Sequence, residues 1–434
     1  MVTRRSILKA SVAGAAVASV PGQLWLRNAY GVPAALGLSD PALQPKFAYP
    51  VPDALAPGFK YSPGKKGEYT VSISKAKQIT GLVDSRGKPL KTWVYGYGDP
   101  ADGIFTWPGR TFEVQSTSAG GPDRTVVNWD NGLNPRSKKR FEGNHLLPVD
   151  SSLHWCYALH GYDTNTIAEH GIPIITHLHG GHTDYQFDGN PEFFYNYNKR
   201  VVGPQWADVP GGFTTRFEYD NGVQAGNLWY HDHALGITRL NVYAGLAGFY
   251  FVRDEYDTGK PDNPLGLPAW PYEKAFAIQD RMFRDNGDLF YSAYPGDPFY
   301  DDFITRPDDP PSANLPPDKF PGGGPTALAE FFGDHMLVNG VIWPFEAVEP
   351  RNYRMHLLNG TDSRFMVIRF RAVPAGDTDL TNAGAPIPFT VIGSDQGLGA
   401  ATVVDTLVFE PGSRYDIVFD FMTLQGQRII MENL

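Results

Sequence analysis

The sequence predicts an all-β protein of tandem Greek-key sandwiches or barrels. Three observations carry that expectation. Short runs of apolar and strand-forming residues recur along most of the chain. Turn residues separate nearly every pair of runs. The composition, with 47 Gly, 37 Pro and 13% aromatics, suits strands joined by turns. At 434 residues the chain is too long for one ordinary domain, and two or three are expected.

Residues 1–22 open with Thr3-Arg4-Arg5-Ser6-Ile7-Leu8-Lys9, a twin-arginine pattern, followed by a weakly apolar run from Ala10 to Val20 and then Pro21-Gly22. A bilayer-spanning helix needs ~20 apolar residues. The reading is therefore an export signal, with cleavage after Ala18 compatible, and no stable membrane anchor. Such a signal carries folded proteins and implies a periplasmic or extracellular destination.

Residues 23–65 hold Pro33, Pro41, Pro45, Pro50, Pro52, Pro57 and Pro63, a density that predicts an extended arm lying on a domain surface. Clean alternation starts at Tyr69-Thr70-Val71-Ser72-Ile73-Ser74. Further strands are expected at Thr92–Tyr95, Thr111–Val114, Thr125–Trp129, Ile172–His179, Thr214–Tyr219, Asn227–His231 and Gly245–Val252. These make a first domain over 66–255.

The stretch from Asp254 to Glu273, with four prolines, is the natural boundary. A second domain over 256–434 follows, with strands at Lys274–Gln279, Met336–Asn339, Tyr353–Leu358, Phe365–Phe370, Phe389–Ile392 and Tyr415–Asp420. Residues 295–325 read as a long surface loop. The sequence stops inside the strand-like run Arg428–Leu434, so a C-terminal truncation is expected.

The balance of 37 basic against 47 acidic residues gives a net charge of -10. With no long basic run, nucleic acid is not expected as a partner. A single cysteine, Cys156, excludes any intramolecular disulfide.

Chemistry concentrates in two stretches, Ile175-Thr176-His177-Leu178-His179-Gly180-Gly181-His182 and Leu228-Trp229-Tyr230-His231-Asp232-His233-Ala234. In a strand, residues i and i+2 share a face. Each His-x-His therefore directs two neutral imidazoles, good ligands for copper or zinc, at one metal or a metal pair. A single histidine such as His335 or His356 reads instead as structural or solvated.

Three metal readings compete. The spacing His177-x-His179-x-x-His182-x-Asp184 resembles the metallo-beta-lactamase type of zinc hydrolase. That pattern wants Asp before the third histidine, where Gly181 stands, and its fold alternates strands with helices. A second reading makes His182 a ligand of some other metal, although after Gly180-Gly181 it reads as a loop residue.

The third is a family resemblance. His177-Leu178-His179-Gly180-Gly181, Asp188-Gly189 and the run from Leu228 to Gly245 are very similar to the multicopper oxidases, above all to the bacterial spore-coat laccase and bilirubin oxidase branch. Further similar stretches are the Phe47–Pro57 arm, Trp107–Val114, Leu146–Asp150, Ile278-Gln279-Asp280-Arg281, Val338-Asn339-Gly340 and Trp343-Pro344. The resemblance covers nearly all of the chain after the signal.

It implies tandem cupredoxin-like Greek-key β-sandwiches, copper as cofactor, and a small-molecule reductant and dioxygen as reaction partners. In such enzymes a type 1 copper takes single electrons from phenolic, pyrrolic or metal-ion substrates, and a trinuclear cluster reduces dioxygen to water. By motif, His177 corresponds to a type 2 copper ligand, while His179, His231 and His233 correspond to ligands of the type 3 pair. Asp188 corresponds to the acid that donates protons to oxygen intermediates.

The sequence also departs from that pattern. The family uses four His-x-His units and a His-Cys-His type 1 site. Two such units occur here and His-Cys-His does not. Cys156, flanked by Trp155 and Tyr157, reads as a buried or loop thiol, and His145, His154, His160 and His170 as loop-region histidines. The expectation is a chain inactive alone, completed by a C-terminal domain or a second chain. A non-catalytic exported scaffold of the cell envelope is the alternative, disfavoured because all four histidines are present.

Overall fold

In the computed structural model, residues 37–137, 144–149, 151, 153–291 and 330–434 are described. The expected signal at 1–22, the start of the arm and the expected loop at 295–325 lie outside them. Strands dominate, and no helix among the described residues is long and apolar enough to cross a membrane.

The strands form two sandwiches. In the first, a five-stranded sheet has the order β3-β2-β1-β5-β7, from β1 (Tyr69–Gln78), β2 (Thr92–Asp99), β3 (Ile104–Thr106), β5 (Arg124–Asn131) and β7 (Arg216–Asp220). A four-stranded sheet faces it in the order β4-β9-β8-β6, from β4 (Gly109–Gln115), β6 (Thr176–His179), β8 (Gly226–Asp232) and β9 (Ala247–Arg253). The parallel pairs β1 with β5 and β4 with β9 join strands distant in sequence, as in a Greek key.

Aromatic side chains fill the space between these sheets. Tyr97, Trp129 and Tyr230 meet there, with ring centroids 5.0 Å apart for Tyr97–Tyr230 and 5.7 Å for Trp129–Tyr230. All three are buried, and rings of this size dominate the energetics of such a core.

The second sandwich contains β10 (Glu273–Phe283), β11 (Leu289–Phe290), β12 (His335–Val338), β13 (Val341–Ile342), β14 (Asn352–Asn359), β15 (Met366–Pro374), β16 (Phe389–Ser394), β17 (Gly397–Val404), β18 (Leu407–Phe409), β19 (Arg414–Asp420) and β20 (Gln427–Asn433). Its larger sheet runs β13-β12-β10-β14-β19-β16-β17, with β11 beside β10, and its smaller sheet is β18-β15-β20. Phe370, Phe389 and Phe419 pack between the two sheets.

The two sandwiches are pressed together along β8 and β9 on one side and β10 and β14 on the other. Trp229, Ala247, Phe249 and Phe251 meet Ala275, Ala277 and Leu358 there. Both β9 and β10 are buried along their whole length; β9 is accordingly apolar on both faces up to Arg253, whereas β10 buries Glu273, Lys274, Gln279, Asp280 and Arg281 among its apolar residues.

Two expectations need correction. The proline-rich arm does not simply lie on a surface over residues 37–65. Ala54 and Leu55, 3% and 1% exposed, belong to the apolar cluster between the sandwiches. Backbone bridges from Leu38 to Arg284, Pro50 to Phe345 and Lys60 to Thr111 bind the arm to both. Proline density excluded regular strands correctly but said nothing about burial.

The strand expected from Ile172 to His179 is regular only over Thr176–His179. Pro173 has no N–H to donate, and Ile174 pairs instead with Tyr195 in an isolated bridge.

Candidate metal centre

The alternation of β6 and β8 decides where the imidazoles point. Leu178 and Tyr230 are opposite each other across the strand pair and turn into the first core, 2% and 1% exposed. Slipping either strand by one residue would expose those side chains and bury the histidines. Fully burying a side chain like Leu178 stabilises by ~1.5–3 kcal/mol, so the core pair sets the register. The histidines are left on the outer face.

On that face His177 lies directly opposite His231, and His179 opposite Trp229. The pairing continues past the strand end, where the His233 N–H donates to the Ile175 carbonyl at 2.8 Å. The imidazole centroids of His177 lie 5.5 Å from His179, 5.3 Å from His231 and 5.1 Å from His233. Ligand atoms of His177, His179 and His231 all fall within 4.8 Å of one another. His179 Nδ1 and His231 Nε2 are 3.3 Å apart.

Backbone carbonyls orient two of the rings. His177 Nδ1 is hydrogen-bonded to the Asp188 carbonyl and His231 Nδ1 to the Asp232 carbonyl, the latter at 2.7 Å. That leaves Nε2 of each ring for a metal, the usual division of labour in metal-binding histidines. His233 Nδ1 is buried and has no hydrogen-bond partner among the described residues. Trp229 stacks on His179 with centroids 5.1 Å apart and approaches His231 at 4.2 Å.

The electrostatics favour neutral rings. Burial, reinforced by the Arg414 guanidinium and by His177 and His233, pushes His179 from 6.5 to about 4. Burial also holds His231 well below its ordinary value and lowers His233, with His177 adding to both effects. Four converging imidazoles, with the proton affinity of His179, His231 and His233 depressed, form a donor set that suits copper or zinc.

Asp188 lies beside the cluster, half exposed, with Oδ1 3.5 Å from His177 Nδ1 and accepting a hydrogen bond from Thr183 Oγ1 at 2.9 Å. The loop reaches this position because Gly189 follows. At φ 78 it sits so close that a Cβ there would lie 2.6 Å from His177 Cα and 2.7 Å from the Thr176 carbonyl oxygen. His182 stands apart from the cluster, in the loop ahead of Asp188.

Three contributors were not singled out from the sequence. Asp232, between the two histidines of the second motif, is fully buried. It accepts hydrogen bonds from Ile175 N, Ala234 N and Asn241 Nδ2, at 3.2, 3.2 and 2.8 Å. Burial pushes its carboxyl up to about 7 against the lowering effect of those donors. The signal was available: the middle residue of a His-x-His strand points inward, so an acid there must be paired.

Arg414 and Gly412 come from the second sandwich. Arg414 donates to the backbone oxygens of Asn227, Gly412 and Asp395 at 2.9, 3.0 and 3.0 Å. The space where a Gly412 side chain would begin lies 3.4 Å from His179 Cε1. No local pattern in the sequence marks either residue.

The other histidines and the thiol stay outside the cluster. His145 bonds Asn241 Oδ1 at 3.1 Å, and burial pushes it to about 4. Cys156 is buried, donates to the Leu235 carbonyl at 3.4 Å, and has its thiol pushed well up by burial.

No family model matches the chain. Individual proteins do. The laccase of Bacillus subtilis (strain 168) is 31% identical over 387 residues, which is 89% of this chain and 60% of that protein. Multicopper oxidase LPR1 of Arabidopsis thaliana is 30% identical over 344 residues, 79% of this chain and 47% of that one. The chain thus spans between about half and three fifths of these relatives.

The crystal structure of McoA multicopper oxidase from the hyperthermophile Aquifex aeolicus superposes with a TM-score of 0.56 at 19% identity, covering 90% of this chain and 61% of that one. A laccase from Pediococcus acidilactici gives 0.54 at 21%, with coverages of 90% and 60%. These two establish the likeness of fold. Over most of its length the chain is similar in sequence to laccases and multicopper oxidases, and in fold to multicopper oxidases.

Proposed function

We propose that the protein is a copper-binding oxidoreductase of the laccase-like type, coupling one-electron oxidation of phenolic, pyrrolic or metal-ion reductants to the reduction of dioxygen to water. The observation that carries this reading is the convergence of His177, His179, His231 and His233 from two paired strands onto one face. His177 is assigned to a type 2 copper, and His179, His231 and His233 to a type 3 pair. Copper held there supplies one-electron redox chemistry toward dioxygen.

The chain's own residues prepare the site. The carbonyls of Asp188 and Asp232 fix ring orientation and leave Nε2 available. Burial and Arg414 keep His179 unprotonated. Asp188, half exposed beside His177, is placed to pass protons between solvent and the centre. The remaining cluster ligands and the type 1 site are assigned to a further cupredoxin domain or a second chain. The twin-arginine pattern supports export in the folded, metal-loaded state.

The test is copper loading of the purified 434-residue chain. Copper is expected to bind, and replacement of His177 and His231 together should abolish it. No blue thiolate-to-copper absorption and no oxygen uptake with a phenol are expected from the isolated chain. Either signal would sink the assignment of the type 1 site to other residues, and failure to bind copper would sink the whole reading.

A further inference from the structure

Strand β8 carries more than histidines on its outer face. Alternation puts Asn227, Trp229 and His231 on the same side. Asn227 is 5% exposed, and neither its Oδ1 nor its Nδ2 has a hydrogen-bond partner among the described residues. A carboxamide can make four hydrogen bonds, and native proteins rarely bury one with none.

Asn227 lines a cavity between the two sandwiches. The walls include Arg354, His356, Arg414 and Asp416. His356, 1% exposed, is bonded through Nε2 to Glu273 Oε1 at 2.7 Å, while its Nδ1 is also buried without a hydrogen-bond partner. Asp416 Oδ1 is 3.4 Å from that Nδ1 but out of line for a hydrogen bond. One side chain lining this space from each sandwich therefore carries unpaired polar atoms.

Size and charge narrow the occupant. The cavity measures about 10 Å³, room for water and for nothing larger. The surrounding charges already answer one another. Arg354 pairs with Asp257 and Asp416, Arg253 with Glu273, and Arg414 with Asp395. An ion would add uncompensated charge to a buried network, whereas water is neutral and can both donate and accept.

We propose that this cavity is a binding site for one or two structural waters, which hydrogen-bond the Asn227 side chain and His356 Nδ1. They join the histidine-bearing strand to the ion network of the second sandwich. Asn227 Nδ2 donates to a water and Oδ1 accepts from one. Because Asn227 lies four residues before His231, the bridge helps hold that strand in place against its neighbour. The inference stands independently of which metal the histidines bind.

A crystal structure of the full chain that resolves ordered solvent tests it directly. Water density is expected ~2.7–3.2 Å from an Asn227 side-chain atom and from His356 Nδ1. An empty cavity, or anomalous density of a halide or metal ion in it, would overturn the proposal. Asn227→Leu supplies an independent reading through Tm. If water bridges the joint, the near-isosteric apolar side chain breaks the bridge and Tm falls. If the amide is truly unpaired, removing it raises Tm and the proposal fails. Should that variant not fold, nuclear Overhauser contacts between the native Asn227 amide protons and a long-lived water decide the matter, and their absence counts against it.

Discussion

The histidines of the two sandwiches behave in opposite ways. In the second, His335 bonds Asp334 at 2.5 Å and Ser39 at 3.1 Å, and His356 bonds Glu273 at 2.7 Å. Each is tied to a carboxylate and acts as a strut in a buried polar network. In the first, His177 and His231 lean on backbone carbonyls through Nδ1, so Nε2 of each remains for a metal. The neighbour offered to the ring, not the presence of histidine, separates a strut from a ligand.

The sharpest way to break this contrast is to cut the network that holds His356. Arg354 bonds both Asp257 and Asp416, and its side chain is 2% exposed. Arg354→Met should destabilise the chain by about 3–5 kcal/mol because it leaves buried carboxylates unpaired. Chemical denaturation reads this, and copper content per folded molecule should stay unchanged. A large loss of copper at full stability would show that the network belongs to the metal centre.

His231→Ala should do the reverse. Copper affinity is expected to fall by more than ~100-fold, beyond the range seen for outer partners of a metal site, while the metal-free protein unfolds near the parent's midpoint. Isothermal titration with copper, paired with thermal melts, separates the two effects. His356→Ala is the matched control and should leave affinity within a few-fold.

A smaller effect is expected at the loop that approaches His177. Gly189→Ala puts a Cβ 2.6 Å from His177 Cα at a positive φ, which costs roughly 1–3 kcal/mol in backbone strain. Copper affinity should drop about tenfold as the Asp188 carbonyl moves away from Nδ1. Unchanged affinity would mean that this carbonyl does not orient the ring.

A graded effect is expected on pH dependence. In the metal-free fold His179 and His145 are pushed from 6.5 to about 4, and His231 and His233 are also lowered. The unfolded chain takes up those protons first, so stability is full above pH 6.5 and falls as pH drops toward 4. Asp232, raised from 3.8 to about 7, acts with the opposite sign across that window and offsets part of the loss. Urea midpoints of the metal-free protein should decline between pH 7 and 4, and a rise on acidification would contradict the assigned shifts.

Most strands of the core were legible because their alternation is local, as in Tyr69–Gln78 and Arg414–Asp420. Those missed were Ile104–Thr106, Leu289–Phe290, Val341–Ile342, Gly397–Val404 and Leu407–Phe409. Most are two or three residues long. The longest, β17, is rich in Gly and Ala, which have little strand preference of their own. It exists because β16 offers it a partner from Phe389 to Ser394.

By itself, the sequence determined which residues bring imidazoles to one face, because the spacing of two within a strand is a property of the backbone. It also determined that Leu178 and Tyr230 face the opposite way, since apolar residues between histidines have one favourable side. Only the tertiary structure decided that His177 sits opposite His231 and that Arg414 and Gly412 reach across to the cluster. Those are contacts between segments that are far apart in sequence. Their partners are selected by strand pairing within the first sandwich and by packing the second sandwich against it, long-range outcomes that local spacing does not encode.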